Sequence, residues 1–369
     1  YEIGIHIADV LFYFNEKLNK IVKNRFFTIY YDNGKNNMLP DIYSENLISL
    51  IENQNRYAIS VIYTYNKNEL IKTEVKRSIV KNKKQFTYNE VDELFMKNRY
   101  KNRTERIIIE LKKFMENELT YENLNSHNLI EYFMIKTNEY IGNLLFDNFG
   151  KKVLMRKHEK IENQQFNNKN SELKNFLKLK MMKKAIYTFA DTDKNNNYHF
   201  GLNLKNYVHF TSPIRRYSDI IIHSYIYKYL NIEFNWNNYI DDVILDEMNE
   251  REKLINKCER KLNRLKLIKE LEIINQTEKI LTHGYITEIN DRYIYIYIPK
   301  YKLEEKLRLI PQKFKQLYKY IINDDNSITI FKDNNLNNNY KLYEKINIEI
   351  IPFLNEQFFQ NKIKISIID

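Results

Sequence analysis

Cysteine is almost absent: the 369-residue chain has one, Cys258. No internal disulfide can form, which fits a reducing, intracellular compartment, the cytoplasm before a nucleus or organelle. Cys258 sits in a charged, helix-patterned stretch with no His and Asp arrangement around it, so it reads as an incidental thiol and not a nucleophile. Long apolar runs are missing as well. The longest, such as 294–298, are strand length, far short of the roughly 18 residues of a membrane span. No signal-peptide pattern opens the chain, and no internal repeat is evident. Acidic charge is in deficit: 59 Lys and Arg against 48 Asp and Glu leave a net +11. Such a balance favours a polyanionic partner, because cations lining a groove displace counterions from phosphates. An AT-rich genome, which enriches Lys, Asn, Ile and Tyr, is a second source of the excess.

The remaining composition is that of a globular protein, 43% hydrophobic, with enough residues for one large and one small core. The opening YEIGIHIADV reads as a strand, with Ile3, Ile5 and Ile7 alternating before Ala8 and Asp9 end the run. Because Tyr1 is not a natural start residue, the chain is expected to begin inside a domain. A helix is expected near Glu16–Lys23, a turn at Asp32-Asn33-Gly34, and a strand over 56–65 followed by a partner over 69–81. Thr87 three residues before Glu90 is a helix-start signature. Residues 126–149 form an amphipathic helix with Leu129, Ile130, Phe133, Met134, Ile141, Leu144 and Leu145 near one face, Ser126 as its cap and Gly150 as its end. The Asn-rich stretches 161–170 and 193–197 read as surface loops. Residues 238–278 read as one or two long helices opened by Asp241 and Asp242. From about 280 several short strands, the first two joined by a turn at Asn290-Asp291, suggest a small β-barrel, with a domain boundary near 275–280.

The most informative segment is HFGLNLKNYVHFTSPIRRYSDIIIH, residues 199–223. Pro213 fits the first position of a helix capped by Thr211 or Ser212, and Ile220, Ile221 and Ile222 supply its buried face. Arg215 and Arg216 then fall in the first turn. Cations there oppose the helix dipole unless an anion meets them, so the segment reads either as a phosphate site or as an Arg pair bridging surface carboxylates.

HFTSPIRRYSD followed by His223 resembles the signature of the RNB domain, the catalytic domain of the ribonuclease II and ribonuclease R family and of the exosome's catalytic subunit. Other blocks agree in order: GIHIADV (4–10), RFFTIYYDNGKNNMLP (25–40), NLIEYFMIKTN (128–138) and LMRKH (154–158). The terminal barrel resembles the OB-fold RNA-binding domain of that family. The resemblance implies an α+β fold, with an RNB exoribonuclease domain over 1–277 and an OB-fold RNA-binding domain over 278–369. The implied activity is 3′→5′ degradation of single-stranded RNA to nucleoside 5′-monophosphates by metal-assisted hydrolysis. Arg215 matches the catalytic arginine, and Arg216 a contact to a neighbouring phosphate. Tyr30 matches the aromatic residue that stacks on the terminal base, and Glu131 a helix carboxylate at the 3′-terminal nucleotide. Ser212 and His209, in the same block, join the RNA-binding set. By chemistry alone His6, His209 and His223 read as structural hydrogen-bonders and not general bases. Mg²⁺ is the implied cofactor, but the family's aspartate cluster is not matched: Asp191 and Asp193, Asp241 and Asp242, and Asp324 and Asp325 lie in other contexts, and Asp9 belongs to the block that follows. The expectation is that the metal ligands lie upstream of residue 1, that no metal ligand lies within the chain, and that this portion alone is inactive. A catalytically inactive RNA-binding relative is the alternative. No membrane partner is expected. Exosome association follows for a eukaryotic source, and a monomer otherwise.

Overall fold

The computed structural model describes residues 1–31, 34–67, 69–118, 124–160, 171–193, 196–236, 239–290, 293–308, 318–323, 327–332, 335–354 and 362–368. The expected turns at 32–34 and 290–291 fall partly, and the loop 161–170 and the Asp324-Asp325 pair wholly, outside them. The chain divides into two compact units, one from 1–160 with 184–256, the other from 161–183 with 257–369.

In the first unit, β1 (Glu2–Ala8) opens an antiparallel sheet. It is followed by α1 (Glu16–Arg25) and a hairpin of β2 (Ile29–Tyr31) and β3 (Gly34–Asn36). Then come the long strands β4 (Asn55–Asn66) and β5 (Glu69–Lys81), giving the sheet order β1-β4-β5. Register places Ile5 opposite Val61 and Ile7 opposite Ile59, so alternate apolar side chains meet on one face. Three helices follow: α2 (Tyr88–Lys97), α3 (Arg103–Glu118) and α4 (Ser126–Phe149). Thr87 and Glu90 form the expected capping box at α2. At α4 the cap is Asn125 instead of Ser126. Asn125 is extended and its side chain accepts from the Asn128 N–H at 2.8 Å, whereas Ser126 spends its hydroxyl on Tyr88 O and its N–H on Asp92. Gly150 ends α4 at φ +58°, in the region that favours glycine. Ile130 lies off the buried face, 43% exposed, while Leu129, Phe133, Ile141 and Leu145 pack into the core.

Next come β6 (Leu154–Lys157), then α5 (Ser171–Met181) of the second unit, then β7 (Ile186–Phe189), which pairs back with β6. A small hairpin, β8 (Tyr198–His199) and β9 (Leu204–Lys205), precedes α6 (Tyr217–Tyr229), whose Ile220, Ile221 and Ile222 are buried. The sequence expectation of one or two helices over 238–278 resolves into α7 (Asp242–Asn275), capped by Asp241, whose Oδ1 accepts from Ile244 N.

The second unit is built on a five-stranded sheet, β12-β11-β10-β16-β17. Its strands are β10 (Ile280–Ile289), β11 (Tyr293–Ile298), β12 (Leu303–Arg308), β16 (Lys345–Phe353) and β17 (Lys362–Ile368). Between β12 and β16 lies a three-stranded sheet of β13 (Tyr318–Ile322), β14 (Ser327–Lys332) and β15 (Asn335–Lys341). β12 and β17 lie against each other, so the five-stranded sheet is nearly closed and OB-like. Its interior is isoleucine: Ile280, Ile286, Ile294, Ile296, Ile298, Ile346, Ile348, Ile350, Ile363 and Ile365.

One close approach in the first unit is set by a glycine. A Cβ on Gly142 of α4 would stand 1.6 Å from the carbonyl oxygen of Asn206, in the segment leading to His209 and Phe210. Gly142→Ala is therefore expected to cost about 3 kcal/mol, read as a lower denaturation midpoint. An unchanged midpoint would refute the packing described.

Candidate functional site

Two blocks nearly two hundred residues apart are joined by backbone pairing in the first unit. Thr28 N donates to Arg215 O at 3.0 Å and Tyr217 N to Phe26 O at 2.9 Å, with Phe27 and Arg216 as the bridged pair. The residues that follow Thr28 form the β2–β3 hairpin, in which Tyr30 sits opposite Lys35 and is 48% exposed. Inside this block, Arg25 Nη1 donates to Asn37 O at 2.5 Å and Met38 N donates to Thr28 Oγ1 at 3.0 Å. The hairpin is thus pinned at both ends, and Tyr30 and Arg215 rise from adjoining segments.

This pairing also corrects the expected helix start. α6 begins at Tyr217, not at Pro213; Arg216 is extended (φ −137°, ψ 129°) at the N-cap position, and Arg215 precedes it. Arg215 N and Arg216 N both donate to Ser212 O at 3.1 Å, closing a turn ahead of the helix. The reason is competition for the backbone. Arg216 must be extended to bridge Phe27, and the Tyr217 N–H is already taken by Phe26 O.

The two arginines differ. Arg215 is exposed, and among the described residues no hydrogen bond or ion pair engages its guanidinium. Arg216 is turned inward: its Nη2 donates to Asp219 Oδ1 at 2.8 Å, with side-chain exposures of 14% and 0%. Asp219 also accepts from Ser212 N at 2.6 Å and from Ser218 Oγ at 2.9 Å. Its charge lies in the first turn of α6, where it complements the helix dipole. Among the described residues Arg216 Nε is buried without a hydrogen-bond partner.

The network continues. Ser218 Oγ, its proton committed to Asp219, lies 3.2 Å from Tyr187 OH, and Tyr187 OH meets His209 Nδ1 at 2.8 Å. Arg156 lies 4.3 Å from the Tyr187 ring and is held by a bidentate bridge to Glu252 at 2.8 and 2.9 Å. Burial, and then the charges of Arg216, Arg156 and Arg215, hold the His209 imidazole well below its usual range, and burial first of all pushes the Tyr187 phenol up to about 12. His209 is therefore a neutral hydrogen-bonder. His223 Nε2 donates to Phe210 O at 3.0 Å, and His6 Nδ1 meets Ser60 Oγ at 2.7 Å. α4 fixes the approach to this region: Asn138 donates to Tyr207 OH and accepts from Phe210 N. Glu131 is exposed on the same helix, two turns (about 10 Å) toward its N-terminus from Asn138, and among the described residues no hydrogen bond or ion pair joins it to Tyr30 or Arg215.

Asp219, Tyr187, Arg156 and Asn138 were not picked out as site residues from the sequence. For Asp219 the signal was available, since a carboxylate three residues after Arg216 at a helix start faces it. Tyr187 and Asn138 carry no comparable local mark.

Among the described residues no group of three or more His, Cys, Asp or Glu could hold a metal ion. The two buried carboxylates of the region are engaged: Asp219 as above, and Asp9 by Arg77 Nε at 2.8 Å and Tyr227 OH at 2.7 Å. Asp9 is thus a structural carboxylate.

The fold and site define a mixed helix-and-sheet domain that presents an exposed arginine and an exposed tyrosine on adjoining segments, together with an OB-like barrel. The RNB domain model matches residues 1–118 and 102–232, so the chain belongs to the RNB-domain family of ribonuclease II and ribonuclease R type. It is 25% identical over 372 residues to the mouse exosome complex exonuclease RRP44, covering 82% of this chain and 39% of that protein. It is 27% identical over 357 residues to ribonuclease R of Chlamydia pneumoniae, covering 79% and 51%. The chain thus spans about half or less of the length of these relatives. In fold it is similar to Mycoplasma genitalium RNase R in complex with ribose-methylated single-stranded RNA (TM-score 0.73, 19% identity, covering 100% of this chain and 67% of that one). It is also similar to yeast Ssd1, a pseudonuclease (TM-score 0.77, 14% identity, 100% and 64%). Among the described residues no helix is long and apolar enough to cross a membrane.

Two outcomes follow from the site. Asp219→Asn leaves the inward Arg216 without its counter-charge and is expected to cost on the order of 3 kcal/mol, measured by denaturation; a change below about 1 kcal/mol would show the pair to be incidental. The second concerns pH. Burial first, then His158 and Arg156, lowers His199 from its ordinary 6.5 to about 4, and His209 and His223 are lowered too. The unfolded chain takes up protons near 6.5 that the native state refuses, so stability is full above that pH and falls as pH drops toward 4. The melting temperature is expected to decline between pH 7 and pH 5; a flat profile over that window contradicts the assignment.

Proposed function

We propose that this chain forms the RNA-holding part of a 3′→5′ exoribonuclease that shortens single-stranded RNA to nucleoside 5′-monophosphates, with an RNB domain over 1–277 and an OB-fold RNA-binding domain over 278–369. The supporting observation is the pairing of 26–28 with 215–217, which brings an exposed guanidinium and an exposed aromatic ring onto adjoining segments. In this reading Tyr30 stacks on the terminal base, which suits an enzyme that must accept every base because each has a π face. Arg215 meets the scissile phosphate and stabilises the charge that builds on its oxygens. Arg216 is held inward by Asp219, so its contact to a neighbouring phosphate requires the guanidinium to turn outward from that carboxylate. Ser212 and His209 shape the wall beside it, and Glu131 approaches the 3′-terminal nucleotide from α4.

The divalent metal of the family belongs to the proposal, but among the described residues no carboxylate group fits it. Its carboxylates are proposed to come from outside these 369 residues. A second reading, an inactive RNA-binding relative, is favoured by one observation: Asp9 and Asp219 are both spent on structural partners.

The test uses a 5′-labelled single-stranded RNA with Mg²⁺. Residues 1–369 are expected to bind it without shortening it, and Arg215→Ala to weaken binding about tenfold, roughly one charged phosphate contact. In a longer protein that supplies the carboxylates, Arg215→Ala is expected to slow cleavage by about 10²–10³. Stepwise shortening by 1–369 alone would show that the metal is held within this chain, and an Arg215→Ala variant equal to the parent in binding and cleavage would remove Arg215 from the site.

A further inference from the structure

In the second unit, Ile294, Ile296 and Ile298 of β11 fill the core, so the alternating Tyr293, Tyr295 and Tyr297 stand on the outer face. Tyr285 of β10 lies directly across from Tyr297, and Lys306 Nζ of β12 is 4.9 Å from the centre of the Tyr293 ring. In five-stranded barrels of this order, the second and third strands, here β11 and β12, form the face that takes oligonucleotides. A row of rings with an interleaved cation is a stacking platform for single-stranded nucleic acid.

That platform already has an occupant. α5 lies in the sequence between β6 and β7 of the first unit, yet it belongs to the barrel unit. Phe176 stacks on Tyr297 with ring centres 3.9 Å apart and planes 11° apart, the arrangement a base would take. Leu173 and Leu177 are buried in one cluster with Tyr285 and Tyr297. Lys180 Nζ lies 2.7 Å from Glu304 and 3.3 Å from Glu288, and 5.6 Å from the centre of the Tyr295 ring.

We propose that α5 is an intramolecular occupant of the barrel's nucleic-acid face, an autoinhibitory contact in which Phe176 takes the place of a base on Tyr297, so that single-stranded RNA and α5 compete for the same tyrosines. The proposal rests on the RNA-holding function above for the choice of ligand. Glu288 and Glu304 oppose a phosphate backbone once Lys180 is withdrawn. The opened face therefore binds mainly by stacking, and its contribution persists in salt that weakens the Arg215-dependent contact.

The experiment measures binding of a fluorescent oligouridylate to the full chain at low and at roughly 0.5 M salt, a range over which phosphate contacts weaken strongly. Phe176→Ala with Leu177→Ser frees the face while keeping every lysine. This double variant is expected to bind about tenfold tighter, with the gain retained in salt and abolished by adding Tyr297→Ala. In the parent, Tyr297→Ala is expected to leave affinity unchanged, because the ring is already covered. If circular dichroism shows that the double variant does not fold, Phe176→Ala alone, which removes the covering ring and keeps Lys180, is expected to tighten binding about threefold. A folded double variant with unchanged or weaker affinity would overturn the proposal, as would a parent whose affinity falls on Tyr297→Ala. Loss of the Arg215 effect in every variant would count against the proposed function and leave the competition at Tyr297 intact.

Discussion

Everything distinctive about the candidate site depends on two backbone hydrogen bonds, Thr28 N to Arg215 O and Tyr217 N to Phe26 O. They tie a hairpin near the start of the chain to the segment that enters α6. They also force Arg216 into an extended conformation and so delay the helix to Tyr217. Once Arg216 is extended, its side chain can fold back onto Asp219, and Arg215, the preceding residue, is left facing out. A helix that began at Pro213 would have set both arginines on its first turn, with their charges against the dipole.

The same region shows how charge is tolerated in a core. Asp219 and Asp9 have almost no exposure, and each is saturated: the first by Arg216, a backbone N–H and a serine, the second by Arg77 and a tyrosine. Arg77 lies within 5.0–5.4 Å of the centres of three rings, Phe12, Tyr57 and Tyr227, which shield it further. Such pairs fix geometry more than they add stability, since desolvation offsets most of the attraction. Asp219 in this way fixes the turn at Ser212 and the backbone that carries Arg215, and Asp9 ties β1 to β5 and α6.

Much of this was legible in the sequence because it is local. The alternation of 56–65 and 69–81, the Thr87–Glu90 box, the long helix ended by Gly150 and the isoleucine-rich strands after 280 depend on neighbours within a few residues. Arg215 and Tyr30 could be named through the motif in which each sits. What could not be read is whatever depends on distant partners. The helix start at Tyr217 is decided by Phe26, the cap of α4 by the demands of Tyr88 and Asp92 on Ser126, and the inward turn of Arg216 by a buried Asp219. The packing of α5 on the barrel is of the same kind: nothing in SELKNFLKLKM names Tyr297 as the ring on which Phe176 stacks.

In the proposed function the hairpin carrying Tyr30 receives the 3′ end of a single strand near Arg215. The most direct measurement is photocrosslinking of the chain to an oligouridylate with 5-iodouridine at either its 3′ or its 5′ terminus, followed by mapping of the adduct. The 3′-terminal probe is expected to label the tryptic peptide 26–35, FFTIYYDNGK, at Tyr30, and the 5′-terminal probe is not. Equal labelling by both probes, or adducts that avoid this peptide altogether, would contradict it.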